Sequence, residues 1–153
     1  MDKTIVIITL FSADKVRLDE DSAARVLDGD YPVRVKSKIL ATIREIASAT
    51  EKECVVGFLP VVRETQYFGL PYKEDITQDH YGELALYLAP EAPCSIVSDL
   101  LILGKDGHLS CRNEFVGGNS VIVIGDQCTD WNGIVTCLDE AGAYSVKCVS
   151  ILE

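Results

Sequence analysis

A chain of 153 residues with 48% apolar residues is sized for one domain and long enough to bury a core, which excludes a disordered polypeptide. No apolar run approaches the roughly 18–20 residues of a membrane span, so no membrane partner is expected. The net charge of −10 is lodged in residues 51–153, which hold six basic and sixteen acidic residues, against eight of each in residues 1–50; phosphate contacts need basic surface, so DNA and RNA are disfavoured as partners.

Thr4 to Phe11 is β-branched, apolar and nearly continuous, the pattern of a strand buried on both faces. The start, Met1-Asp2-Lys3-Thr4, is acidic and leads into a short apolar run. A secretory signal would need a basic start and a longer apolar stretch, so the expected location is cytoplasmic. Residues 12–30 are charged and carry the turn signal Asp28-Gly29-Asp30. Val35, Ile39, Ile43, Ile46 and Ala47 recur at spacings of three and four, which predicts a helix over about 34–48 with one apolar stripe.

Cys54 to Leu59 reads as a second buried strand, stopped by Pro60. Residues 64–79 mix Gly69, Pro71, aromatics and charges without a clean period, and read as a long irregular loop. Tyr67, Phe68 and Tyr72 in that loop suit either a pocket lining or a subunit contact. Tyr81 to Ala89 reads as a short helix with Asp79 as its N-cap and Pro90 as its stop.

Cys94 to Leu103 is a third apolar run, broken at Ser98-Asp99. Asp106-Gly107, inside Lys105-Asp106-Gly107-His108, is the strongest hairpin signal in the chain, with Leu109 to Val116 as the returning strand. Gly117-Gly118-Asn119 turns into a strand at 120–124. An apolar-periodic helix then closes at Glu140-Ala141-Gly142-Ala143, and Ser145 to Leu152 makes a last strand. No repeat or linker divides residues 1–153, so they form a single domain. Alternating strands and helices predict an α/β fold: a mostly parallel central sheet flanked by helices, with an inserted β-hairpin.

The six cysteines, at 54, 94, 111, 128, 137 and 148, include no C-x-x-C pair. Cys54, Cys94, Cys137 and Cys148 fall in or beside apolar runs and read as reduced core thiols; disulfides or metal ligation are the alternative. Cys111 and Cys128 fall in predicted loops. His80 and His108 lack the paired spacing of a zinc site, and no Gly-x-Ser-x-Gly elbow supports serine hydrolase chemistry.

The chemistry concentrates at residues 125–133. Gly125-Asp126 ends the strand 120–124, and ligands of open α/β sheets bind where a strand's carboxyl end meets the next helix. Backbone N–H groups at the start of that helix face an anion, Thr129 and Asn132 can donate hydrogen bonds, and Gly133 permits close approach. Asp126 and Asp130 are four apart and suit a divalent metal or ribose hydroxyls. Asp130 as a plain helix cap is the alternative reading. Trp131 is either a stacking platform for a base or a residue packed onto the domain surface.

Val121-Ile122-Val123-Ile124-Gly125-Asp126-Gln127-Cys128-Thr129-Asp130, followed by Ala141-Gly142-Ala143 and a final β run, resembles the signature region of type I phosphoribosyltransferases. Val55 to Arg63 resembles the family's first core strand and pyrophosphate loop, Tyr81 to Ala89 its next helix, and Gly104 to Val116 its hood hairpin. The resemblance covers roughly residues 35–152 in element order, the order expected of alternating strands and helices. It implies a phosphoribosyltransferase-like fold and transfer of a phosphoribosyl group from phosphoribosyl pyrophosphate (PRPP) with magnesium. It implies Asp126 as the catalytic residue, binding ribose hydroxyls and metal. Thr129 and the backbone near Asn132 and Gly133 would hold the 5′-phosphate. Arg63 would face pyrophosphate, and Lys105 or Arg112 would come from the hood.

The chain departs from the family at Gly125, where the family has its first acid, and at Gln127 to Trp131, where the family has an apolar pair and Thr-Thr-Gly. Acidic Asp130 and bulky Trp131 would crowd a 5′-phosphate. Gly125-Asp126-x-x-x-Asp130 also looks like the last motif of haloacid-dehalogenase-type phosphatases, in which both acids hold magnesium. That family needs an Asp-x-Asp nucleophile, and Thr9-Leu10-Phe11-Ser12-Ala13-Asp14 offers Asp14 alone. The expected function is binding of a small ribose-phosphate or nucleotide, with PRPP-dependent transfer if active. The alternative is a non-catalytic regulatory or interaction module of the same fold, assembled as a homo-oligomer.

Overall fold

The computed structural model describes residues 3–9, 35–97, 99–103, 109–126 and 131–151. In chain order the elements are β1 (Lys3–Thr9), α1 (Lys36–Ser48), β2 (Glu53–Phe58), β3 (Val62–Tyr67), β4 (Leu70–Asp75) and α2 (Thr77–Glu91). They continue with β5 (Ser95–Ile96), β6 (Leu101–Leu103), β7 (Leu109–Cys111), α3 (Asn113–Val116), β8 (Ser120–Gly125), α4 (Trp131–Glu140) and β9 (Ser145–Ser150).

Five strands form one sheet in the order β5-β2-β1-β8-β9, and every pairing is parallel. The expected α/β architecture is thus present, with β1 at its centre. Ile5, Val6, Ile7 and Ile8 are all fully buried because β1 is covered on both faces. Val6 and Ile8 join one core with Val56, Ile124, Ile39 and Ile43 of α1, and Tyr81, Leu84 and Leu88 of α2. Ile5 and Ile7 join a second core with Val55, Val121, Val123, Leu100, and Ile134 and Leu138 of α4. The period of two along the strand divides the molecule into two helical layers with the sheet between them.

Helix α1 follows its apolar stripe, burying Ile39, Leu40 and Ile43. Helix α4 ends in a Schellman motif: Ala143 N–H bonds Leu138 C=O at 3.1 Å and Gly142 N–H bonds Asp139 C=O at 3.0 Å. Gly142 supplies the left-handed conformation that this cap requires, at φ 87°. Asn119 braces the other end of the sheet: its Oδ1 accepts from Lys3 N–H at 3.2 Å and its Nδ2 donates to Phe115 C=O.

Four expectations need correction. Residues 64–79 are not an irregular loop: β3 and β4 form an antiparallel hairpin, with Tyr67 opposite Leu70 and Val62 opposite Asp75. Its turn is Phe68-Gly69, both at positive φ (52° and 75°), the twist that a two-residue hairpin loop needs. Helix α2 begins at Thr77, ahead of Asp79, and Pro90 lies inside its last turn, so the helix ends at Glu91 rather than before the proline. The segment 109–116 is a three-residue strand and a short helix; the 106–107 turn of that hairpin lies outside the described residues, but its strands pair as expected, Leu103 opposite Leu109. Cys148 is exposed, because β9 is an edge strand.

Among the described residues no helix is long and apolar enough to cross a membrane. Gly57 exists because Leu100 packs against β2: a Cβ there would stand 2.5 Å from Leu100 Cδ2 and 2.7 Å from its Cβ. Leu100 is fully buried and has nowhere to retreat. Gly57→Ala is expected to cost about 1–3 kcal/mol by overpacking. At this chain length that lowers the thermal midpoint by roughly 2–12 °C, read by circular dichroism.

Candidate functional site at the carboxyl edge of the sheet

The strand order reverses at β1. From β1 the chain moves to β2 and β5 on one side, with α1 and α2 over one face, then to β8 and β9 on the other side, with α4 over the opposite face. The helix that follows β1 covers one face and the helix that follows β8 covers the other, and the crevice between two such strand ends is where open α/β sheets take ligands. Thr9 stands opposite Gly125 at that point, and its hydroxyl donates to Ile124 C=O at 3.3 Å. Gly125 is paired on its other side with Ser150, and its carbonyl accepts Ile151 N–H at 2.8 Å.

Asp126 follows directly and is only 4% exposed. A carboxylate at that depth needs donors or a cation around it. The sequence therefore located the strand-end acid correctly. Asn132 and Gly133, expected in the loop, belong instead to the helix Trp131–Glu140, where both are exposed. Gln127, Cys128, Thr129 and Asp130 lie outside the described residues, as does Lys105.

The basic residues are distributed differently. Arg63 lies in β3, opposite Glu74 of the hairpin. Arg112 follows β7 at the base of the second hairpin, its backbone N–H bonded to Leu100 C=O at 3.1 Å. Its guanidinium bonds Asp99 at 2.7 Å and lies 3.8 Å from Glu114. A cation held by two acids is a poor hood residue for an anionic ligand.

A cleft of about 530 Å³ opens on the same sheet edge beyond β2 and β5. Phe58, Tyr81, Ala85 and Ile96 form its apolar lining, and Asp75, Thr77, Gln78 and Asp99 its polar one. Phe58 and Tyr81 stack with ring centroids 4.7 Å apart. The entry to α2 is fixed by Asp75, whose Oδ1 accepts from Thr77 N–H at 2.9 Å and from its hydroxyl at 2.6 Å. Val61 N–H in turn donates to Thr77 Oγ1 at 2.8 Å. Sequence reasoning missed this cleft because its walls come from β2, α2, the ends of β4 and β5 and Asp99 beyond β5. The Asp75-Ile76-Thr77 turn was the one local signal of it.

The five described cysteines are free thiols. Burial, with a smaller push from nearby Cys94, raises the Cys54 thiol to about 11. Among the described residues no group of three or more His, Cys, Asp and Glu side chains is arranged to hold a metal.

No family model matches this chain, and no curated protein or solved structure matches it. The functional reading therefore rests on the residues themselves.

Thiol accessibility gives a direct check on the packing. Iodoacetamide at pH 8 is expected to modify exposed Cys148 well before buried Cys54 in the native chain, read by peptide mapping over time. Equal rates would contradict the burial of β2.

Proposed function

We propose that this domain binds a small ribose-phosphate or nucleotide at the carboxyl edge of its parallel sheet, with Asp126 accepting hydrogen bonds from ribose hydroxyls. The observation that carries the reading is the buried Asp126 at the β1–β8 reversal, followed within five residues by the start of α4. Asn132, exposed in the first described turn of α4, stands at the positive end of that helix's dipole, which favours a phosphate nearby. The cleft beside Phe58 and Tyr81 lies about two strand spacings away, roughly 10 Å, within reach of a base carried on that ribose. PRPP is the ligand that the resemblance of residues 121–143 to the phosphoribosyltransferase signature suggests.

Magnesium fits the site in one way. It is commonly bound through one or two carboxylates together with ligand phosphates, and Asp126 is a carboxylate so placed. When bound, it would neutralise charge on a pyrophosphate group. Binding is favoured over turnover. Gly125 stands where an acid would be needed, and Arg112 is held by Asp99 and Glu114.

Calorimetric titration with PRPP, with and without magnesium, tests this. Heat that requires magnesium is expected, and Asp126→Ala is expected to weaken binding at least about tenfold, near 1.4 kcal/mol. Absence of heat at millimolar PRPP would sink the proposal.

A second reading, a homo-oligomeric interaction module, is favoured by the β3–β4 hairpin. Tyr67, Phe68, Leu70 and Tyr72 are between 55% and 88% exposed on it. Phe68 occupies a left-handed conformation that a bulky residue seldom adopts. Apolar side chains clustered on a projecting hairpin suit a contact with a second copy of the chain. Light scattering is expected to give twice the chain mass for the native protein and a monomer for Phe68→Gly/Tyr72→Ser. A native monomer at all concentrations would remove this reading.

A further inference from the structure

The sulfurs of Cys111 and Cys137 lie 3.4 Å apart, although the residues are 26 positions apart in sequence. Cys111 ends β7 and is half-buried; Cys137 lies in the middle of α4 and is 8% exposed. Each thiol also has a carbonyl within reach: Cys137 C=O at 3.5 Å for Cys111, and Leu109 C=O at 3.6 Å for Cys137. These contacts aim the two sulfurs at each other from a short strand and the helix packed against it. Both sulfurs lie in the apolar cluster that holds Ile134 and Leu138.

We propose that Cys111 and Cys137 form a redox site, closing to an intramolecular disulfide under hydrogen peroxide and reopening with a dithiol. A disulfide bond is about 2.05 Å long, so the sulfurs must approach by roughly 1.4 Å. Cys111 sits on a three-residue strand and is partly open to solvent, so it is the side that moves. The pair is electronically unequal. The hydrogen bond between the sulfurs, in which either thiol can be the donor, holds the Cys137 thiol below its ordinary value, while the same bond and burial raise Cys111. Glu140, one turn further along α4, opposes ionisation of both.

The chemistry balances as follows. The Cys137 thiolate attacks one peroxide oxygen, the O–O bond breaks, and the departing hydroxide takes up a proton as water. Cys137 is then a sulfenic acid. The Cys111 sulfur attacks the Cys137 sulfur; the S–S bond forms, the S–O bond breaks, and hydroxide leaves with the Cys111 proton as a second water. Two thiols lose two electrons, and one peroxide is reduced to two waters. A small oxidant suits the buried Cys137 better than a bulky disulfide would. The product ties the β6–β7 hairpin to α4, independently of any ligand at Asp126.

The test uses the full chain, treated with peroxide and then alkylated under denaturing conditions. Intact mass is expected to show two fewer reactive thiols than the six of the reduced chain, restored by dithiothreitol. Peptide mapping of the native sequence is expected to join Cys111 to Cys137. The loss of two thiols should persist in Cys128→Ser and disappear in both Cys111→Ser and Cys137→Ser. A map that joins Cys111 to Cys128, or finds Cys111 and Cys137 both alkylated after peroxide, overturns the proposal. The map on the native chain decides the matter even where a variant folds poorly.

Discussion

Strand β1 is the constraint on which the rest of the structure depends. It pairs in parallel on both edges, with β2 and with β8, and it is packed on both faces. Parallel neighbours cannot be joined by a tight turn, so each connection must cross the sheet through a helix or a longer excursion. The need to cover both faces sends those connections over opposite sides. Two helical layers, two cores and the reversal of strand order all follow from a strand whose four central side chains have no access to water.

The same constraint sets the candidate site. A strand end at the centre of such a sheet is both recessed and open to the next helix. That recess gives Asp126 its burial and brings Thr9, Gly125 and the start of α4 into one neighbourhood. Phosphate recognition in such a place would draw on backbone donors more than on cations. Arg112 illustrates why: the acidic second half of the chain supplies Asp99 and Glu114 to hold it.

The parts of the fold that could be read along the chain are those whose burial is continuous or periodic. Ile5 to Ile8, Cys54 to Phe58 and Val121 to Ile124 are apolar runs because both faces of each strand are covered. Ile39 and Ile43 mark α1 because one side of the helix is covered. The β3–β4 hairpin escaped that reading for the opposite reason. It stands outside the five-stranded sheet, and its described side chains from Gln66 to Tyr72 are exposed, so no alternation of apolar and polar residues is imposed on it. Its turn was hidden because Phe68 is not a residue that normally announces a left-handed conformation.

The amino-acid sequence by itself determined the class of fold, the strand that carries Asp126, the cap at Gly142 and the imbalance of charge. These are local or compositional properties, fixed by side-chain size, periodicity and sign. Only the tertiary structure decided the strand order, the burial of Asp126, the cleft at Phe58 and Tyr81, the capture of Arg112 and the contact of Cys111 with Cys137. Each of these joins residues from different elements. Which elements meet is set by how the whole chain covers β1, a property that no segment of the sequence carries alone.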